Sequence, residues 1–222
     1  FFLEDLNCEF IITDGNASNA LIDAAKQLKI KLFYLDSYSP KNELLIKSLP
    51  TSPLSLPRQN KTDDICLILH TSGTTSRPKQ VQLSCMNIIS SAINIANVLK
   101  LDKKDKGMNI MPLFHIHGLI ASLLSSIVTG SSLVCTSGFN ALTFYGSLKK
   151  FNPTWITAVP TMYQAILSRA SRNKEIIQSS NLRLIRSSSA AMPVATIETL
   201  ENVFQCPVIE AYGMTEASHQ MA

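Results

Sequence analysis

The chain has 222 residues, of which 45% are hydrophobic and 16% charged, and a net charge of +4. That supplies a sizeable core for one large domain or two small ones, and no run approaches the roughly 20 apolar residues of a membrane-crossing helix. The positive excess lies in separated pairs, Lys103-Lys104 and Lys149-Lys150, with no interleaved aromatics, which argues for scattered solvated lysines and against a nucleic-acid surface.

The opening, Phe1-Phe2-Leu3-Glu4-Asp5, lacks the basic flank, long apolar run and small-residue site of a signal peptide. A strand pattern follows almost at once, so the chain reads as an excised piece of a longer protein. Phe10-Ile11-Ile12 predicts a short buried strand, ended by Asp14-Gly15. Leu21, Ala24, Ala25 and Leu28 recur at helical spacing, and Leu32-Phe33-Tyr34-Leu35 is extended again. Residues 37–62, with four prolines, read as a connector or a loop between sub-domains.

From Ile65 the alternation becomes regular. A strand near 65–70 enters a Gly/Ser/Thr loop, and Ser84 can cap a helix whose apolar face is Ile88, Ala92, Ile95, Ala96 and Leu99. Extended runs follow near 107–111, 131–136, 155–159, 182–187 and 207–211, with helical segments near 117–129, 141–150, 161–171 and 193–204. Thr161 and Gln164 have the capping-box spacing, and Pro193 suits a first helical turn. Strands separated by helices of this length predict an α/β fold: parallel sheets flanked by helices, with ligands at the carboxyl ends of the strands. The five cysteines, at 8, 66, 85, 135 and 206, have no metal-ligand spacing and fit a reduced intracellular setting better than a disulfide framework.

The loop after the first regular strand is His70-Thr71-Ser72-Gly73-Thr74-Thr75-Ser76-Arg77-Pro78-Lys79. Backbone N–H groups and hydroxyls in such a loop can surround phosphate oxygens while Lys79 offsets their charge. By composition alone a plain Ser/Thr-rich turn is as good a reading. The full string resembles the signature loop of the acyl-CoA synthetase, luciferase and peptide-synthetase adenylation superfamily, where it holds the pyrophosphate part of ATP. Ser76 and Gln80 stand where Gly is usual, and neither change removes a phosphate ligand.

Two further strings match that superfamily in order. Met111-Pro112-Leu113-Phe114-His115-Ile116-His117-Gly118 resembles its second motif, in which the residue at His115 lies beside the acyl carboxylate and the approach of coenzyme A. A histidine among apolar residues is otherwise more often a satisfied core group, and His117 has an equal claim to a structural role. Glu210-Ala211-Tyr212-Gly213-Met214-Thr215-Glu216 resembles the Tyr-Gly-x-Thr-Glu motif. There Tyr212 and Gly213 would line adenine, Thr215 would contact the α-phosphate and Glu216 would bind Mg²⁺, a metal that needs few protein carboxylates beside phosphates. Arg186-Ser187-Ser188-Ser189-Ala190-Ala191-Met192-Pro193 resembles the adenine-contact segment, with Ser189 in place of Gly and Met192 in place of Pro. The resemblance carries Ser189, Ala190 and Ala191 to the nucleotide; a strand-to-helix turn that needs small residues is the structural alternative.

The resemblance covers nearly the whole chain and looks most like the peroxisomal-type and plant oxalate–CoA ligases, through the loop, Thr154–Thr161 and Glu210–Met221. Gly213 departs from the Ala of that branch, and Gln80 and Gln82 depart too. Ser218 and His219 lie where that branch places groups near a small acid; Trp155 reads as core. What the resemblance implies is a partial N-terminal AMP-binding domain over 1–222, acting in a carboxylate–CoA ligase. Its substrates would be ATP, coenzyme A and an acid such as oxalate. Thr71, Ser72, Gly73, Thr74, Thr75 and Lys79 would hold pyrophosphate, Thr215 the α-phosphate and Glu216 Mg²⁺, with His115 beside the acyl group. The family's ribose-binding Asp and lysine-bearing C-terminal domain lie beyond this stretch, so the fragment alone is expected to be inactive. The setting would be cytoplasmic, or peroxisomal in a eukaryote. A peptide-synthetase adenylation domain, a fatty-acyl-CoA synthetase and a non-catalytic nucleotide-binding homologue are the alternatives.

Overall fold

The computed structural model describes residues 1–13, 16–36, 45–47, 59–71 and 77–222, which divide into two units, Phe1–Gln59 and Asn60–Ala222. The first unit contains α1 (Phe2–Asp5), β1 (Phe10–Thr13), α2 (Asn19–Gln27), β2 (Lys31–Asp36) and β3 (Leu45–Lys47). β1 and β2 run parallel, pairing Phe10 with Lys31, as expected for strands joined by a helix. Ser18 caps α2 by accepting from the Leu21 N–H at 3.3 Å. β1 is not the buried strand its sequence predicts: Phe10 and Ile12 are exposed, and among the described residues of this unit α2 is the one longer helix. Of the predicted connector, residues 37–44 and 48–58 lie outside the described residues, whereas Leu45–Lys47 pairs antiparallel with β2.

The second unit corrects the predicted regularity at its start. β4 (Ile65–Thr71) does not join the parallel sheet. It pairs antiparallel with β5 (Lys79–Ser84), so that Thr71 faces Lys79 across the ribbon. Ser84 then caps α3 (Cys85–Val98) through a reciprocal box with Asn87, and Ile88, Ala92, Ile95 and Ala96 are buried as their spacing predicts.

The next five strands are β6 (Lys106–Asn109), β7 (Ser132–Cys135), β8 (Trp155–Ala158), β9 (Leu184–Ser188) and β10 (Val208–Ala211). They form a five-stranded, wholly parallel sheet in the order β10-β9-β8-β6-β7. Between β6 and β7 lie a π-helical segment, His117–Leu124, and α4 (Ser125–Val128). The later connections carry α5 (Phe144–Phe151), α6 (Pro160–Leu167), α7 (Lys174–Gln178) and α8 (Val194–Phe204). The chain moves one way across the sheet from β6 to β7 and the other way from β8 to β10, and connections of fixed hand then place their helices on opposite faces. Trp155 and Leu184 accordingly pack with α3 and the π-helical segment, while Met108, Ile156 and Ile185 pack with α5, α6, α7 and α8. Trp155 is core, as its sequence setting predicts.

Two helix starts differ from expectation. α6 begins at Pro160 after Val159, so Thr161 lies inside the helix and makes no cap. Pro193 is itself the N-cap of α8 rather than a residue of its first turn. Among the described residues, no helix is long and apolar enough to cross a membrane.

At the amino ends of the sheet strands, buried Asp105 ties three elements together. Arg183 donates to it from Nε at 2.8 Å and from a terminal nitrogen at 2.6 Å, and Thr154 Oγ1 donates at 2.6 Å. Burial pushes the Asp105 carboxyl up, but these donors outweigh it and hold the pKa at about 2. A carboxyl depressed on folding stabilises the protein above its unfolded pKa, and that stability is lost as pH falls toward the folded value. Asp105→Asn is therefore expected to cost about 2 kcal/mol at neutral pH. Urea melts at several pH values should show the gap from the parent narrowing between about pH 4 and pH 2.

Candidate active site

The sheet turns its carboxyl ends toward the residues that the sequence singled out. Strand order reverses between β6 and β8, the position at which open α/β sheets leave a crevice for ligands. A cavity of about 310 Å³ opens there. Met111, His115 and His117 reach it after β6, Val159 after β8, Ser189 after β9, and Gly213, Thr215 and His219 after β10. A second cavity of about 460 Å³ adjoins it, lined by Ser189, Ala190, Ala191, Glu210, Tyr212 and Gly213 among others. Ser189 and Gly213 belong to both.

Local chemistry explains how these segments are held. Glu210 accepts from the Met192 N–H at 2.7 Å, and Ser188 Oγ donates to the Ala211 carbonyl at 2.8 Å, locking residues 188–192 against the end of β10. Beyond β10 the chain folds back as a small antiparallel pair, β11 (Gly213–Met214) and β12 (His219–Gln220). A Cβ on Gly213 would overlap the His219 carbonyl oxygen, so only glycine allows this approach. Ser218 and His219 have φ of 56° and 102°, and Ser91 Oγ of α3 anchors the turn by donating to the Ser218 carbonyl at 2.6 Å. Ser189 also has a left-handed backbone, φ 74°, which accounts for the glycine of the family motif at this position. Here the serine hydroxyl is engaged with His117 Nδ1 at 3.0 Å.

Beneath the cavity lies a polar row that the sequence reading did not assign. Register places Asn109, Thr157 and Arg186 side by side on β6, β8 and β9, on the face turned toward the π-helical segment. Arg186 is wholly buried, and no carboxylate among the described residues pairs with it. One terminal nitrogen donates to Thr157 Oγ1 at 3.2 Å and lies 3.4 Å from His117 Nε2. The other donates to Gln220 Oε1 at 2.9 Å and lies 3.4 Å from His219 Nδ1. Burial, reinforced by this guanidinium, lowers the pKa of His117 to about 2 and that of His219 to about 3, so both rings are neutral. The one available signal was a charged residue directly after the strand pair Leu184-Ile185, where an exposed face would be the usual explanation.

The other predicted residues are placed as follows. His115 is exposed at the cavity mouth, its ring tilted against that of Phe114 at 4.7 Å. His117 is buried behind it, in the supporting position. Tyr212 is 66% exposed over the second cavity. Ser218 is buried in the turn and does not line the first cavity, unlike its neighbour His219. Lys79 is exposed opposite Thr71, and Thr71 Oγ1 lies 3.5 Å from Glu216 Oε1, which brings those three residues to one place. Ser72, Gly73, Thr74 and Thr75 lie outside the described residues.

Comparison with known proteins gives the family and the fold. The AMP-binding enzyme family matches residues 1–222. An oxalate–CoA ligase of Arabidopsis thaliana is 39% identical over 227 residues, spanning 100% of this chain and 44% of its own. An oxalate–CoA ligase of Saccharomyces cerevisiae is 43% identical over 195 residues, 84% of this chain and 35% of its own. Among solved structures, an o-succinylbenzoate CoA synthetase of Bacillus subtilis, bound with a product analogue, superposes with a TM-score of 0.80 at 27% identity, covering 100% of this chain and 42% of its own. The chain thus spans less than half the length of these relatives.

Replacing Gly213 with alanine should force β11 and β12 apart and displace Thr215 and His219. The expected cost is about 1–3 kcal/mol, the usual range for an extra carbon in a filled space. A urea midpoint equal to that of the parent would show that the pair opens freely.

Proposed function

Because the chain belongs to the AMP-binding enzyme family, matched along its whole length, we propose that it forms the nucleotide and acid sites of an AMP-forming carboxylate–CoA ligase. The observation that carries this reading is the pair of adjoining cavities sharing Ser189 and Gly213, with Thr215 lining the first. The second cavity suits adenine: small residues Ser189, Ala190 and Ala191 form one wall, and the Tyr212 ring offers a stacking face. The first takes the acid. An acid carboxylate there and the α-phosphorus of ATP meet at Thr215, which is where an acyl-adenylate must form.

In the first step the carboxylate oxygen attacks the α-phosphorus and the bond to pyrophosphate breaks. In the second, a coenzyme A thiolate attacks the acyl carbon and AMP leaves. The protein's part is positioning and charge stabilisation. Thr71, the hydroxyl loop and Lys79 hold the leaving pyrophosphate, Thr215 steadies the α-phosphate, and His115 stands at the acid's entrance. Glu216, a hard oxygen donor beside Thr71, fits a Mg²⁺ held mainly by phosphates and water. When bound, that ion offsets phosphate charge.

The acid is read as short and dianionic, oxalate or a near homologue. The first cavity is small, and its floor carries the field of Arg186 with two hydrogen-bonding rings, His117 and His219. The 39% and 43% identities to oxalate–CoA ligases support the same reading. ATP–pyrophosphate exchange by the complete protein, across acids from oxalate to palmitate, tests it. Exchange should be fastest with a short diacid, and a preference for palmitate over every short acid would overturn the reading. In the same assay Lys79→Ala should lower kcat/KM for ATP about 10- to 100-fold, the loss of one charge-assisted phosphate contact. Unchanged kinetics in the folded variant would remove Lys79 from the phosphate site.

A further inference from the structure

We infer that Arg186 is a positioning residue that fixes the proton arrangement of the first cavity, so that Ser189 and His219 both present hydrogen-bond donors to the ligand. This rests on the reading of that cavity as the acid site. The argument is one of donor and acceptor accounting. A guanidinium can only donate, and a neutral imidazole has one N–H and one lone pair.

Arg186 faces His219 through Nδ1, at 3.4 Å. That nitrogen must carry the lone pair, since an N–H there would point at another N–H. The proton of His219 is therefore on Nε2, which has no partner among the described residues on a ring that lines the cavity.

The second branch runs through Thr157. Arg186 donates to Thr157 Oγ1 at 3.2 Å and lies 3.4 Å from His117 Nε2. Thr157 Oγ1, already an acceptor, turns its own proton to His117 Nε2, 2.6 Å away. The His117 proton is then on Nδ1, where it is donated to Ser189 Oγ at 3.0 Å. Ser189 has accepted, so its hydroxyl proton is left for the cavity it lines. One buried cation, acting through neutral intermediates, orients both outlets the same way.

Two donors and a positive field from below select a group that only accepts: a carboxylate oxygen rather than a hydroxyl or an amide N–H. The low pKa values of both rings agree with this, since neither ring can take a second proton beside Arg186 near neutral pH. A guanidinium placed for packing alone would have no reason to contact both rings at their lone pairs.

The test begins with a readout that does not depend on activity. In the complete protein labelled with ¹⁵N-histidine, long-range proton–nitrogen correlations distinguish the two neutral tautomers. His117 should be protonated at Nδ1 and His219 at Nε2; either ring in the opposite tautomer overturns the inference. Thr157→Val should release the His117 tautomer and leave His219 unchanged, and loss of both or neither would contradict the two-branch arrangement. Arg186→Met should raise KM for oxalate about tenfold or more, the loss of donors aligned on a charged acceptor, with KM for ATP unchanged. Equal effects on oxalate and ATP in a folded variant would reduce Arg186 to a structural role. Should Arg186→Met not fold, the parent spectrum still decides. If the parent exchanges pyrophosphate with no acid at all, the ligase reading fails while the tautomer result stands on its own.

Discussion

A guanidinium enclosed in the middle of a parallel sheet is the constraint around which this site is organised. Removing such a charge from water costs several kcal/mol, and the usual remedy is a carboxylate partner. Arg186 has none among the described residues. Its terminal nitrogens find instead a threonine, a glutamine and the lone pairs of two histidines, and its Nε is left without a partner. Its backbone is satisfied as well, with Tyr163 donating to the Arg186 carbonyl at 2.6 Å. Burial lowers the guanidinium's pKa to about 10, which leaves it charged at neutral pH. A fold that keeps an unneutralised cation below a cavity has its electrostatic complement outside the protein, in whatever anion enters. The same cation makes the His117 and His219 rings poor proton acceptors, which suits a reaction whose acid must arrive ionised.

Backbone geometry around the cavity is specialised to the same degree. Ser189, Ser218 and His219 all sit in the left-handed region, a cost of order 1–3 kcal/mol each for residues other than glycine. Each strained residue is also held from a second direction: Ser189 by His117, Ser218 by Ser91, His219 by Arg186. Such strain persists only where surrounding structure over-determines the conformation, and it gathers where side chains must be aimed. The π-helical segment carrying His117 belongs to the same pattern. Gly118 lies so close to the Pro112 carbonyl that a Cβ there would overlap it, and this lets the His-Gly step turn back beneath the strand end.

Much of this architecture was legible in the sequence because it depends on local periodicity. The α3 face with its Ser84 cap and the five parallel strands followed from apolar spacing, as did most of the helices between them, though not α7 or the starts of α6 and α8. The strand ends delivered His115, Ser189 and Thr215 to one cavity, as the carboxyl-end rule for such sheets requires. What escaped was non-local. Nothing in Ile65–Thr71 distinguishes a hairpin arm from a sheet strand, since its partner across the loop, Lys79–Ser84, is half polar and resembles a helix approach. Arg186 escaped for a related reason. Its meaning comes from Thr157 at 29 positions' remove and His117 at 69, neighbours that only register between strands brings together. The strain at Ser189 had one sequence signal, the glycine that the family motif carries there, but a serine gives no sign of a left-handed backbone until its φ is known.

The division of the proposed site between two kinds of β-structure has a mechanical consequence. The proposed acid cavity and adenine wall stand on the parallel sheet, whose central strands are buried between helices and where Arg186 of β9 donates to Thr157 of β8. Thr71 and Lys79 belong instead to the antiparallel ribbon, which makes no ladder with that sheet. One side-chain contact between the ribbon and the Thr215–Ala217 turn is the exposed, 3.5 Å approach of Thr71 to Glu216. A link of that length and exposure contributes little to stability. In a reaction that expels pyrophosphate while keeping the adenylate, the groups holding the leaving part must let go without disturbing those holding the rest. Thr71 and Lys79 stand at the loop end of that ribbon, whose other end is anchored by Val81 and Leu83, buried in one cluster with α3, Trp155 and Leu184. The floor of the proposed acid cavity is held more tightly, because moving Arg186 would break its contacts to Thr157, His117, His219 and Gln220 together and leave a buried charge with nothing around it.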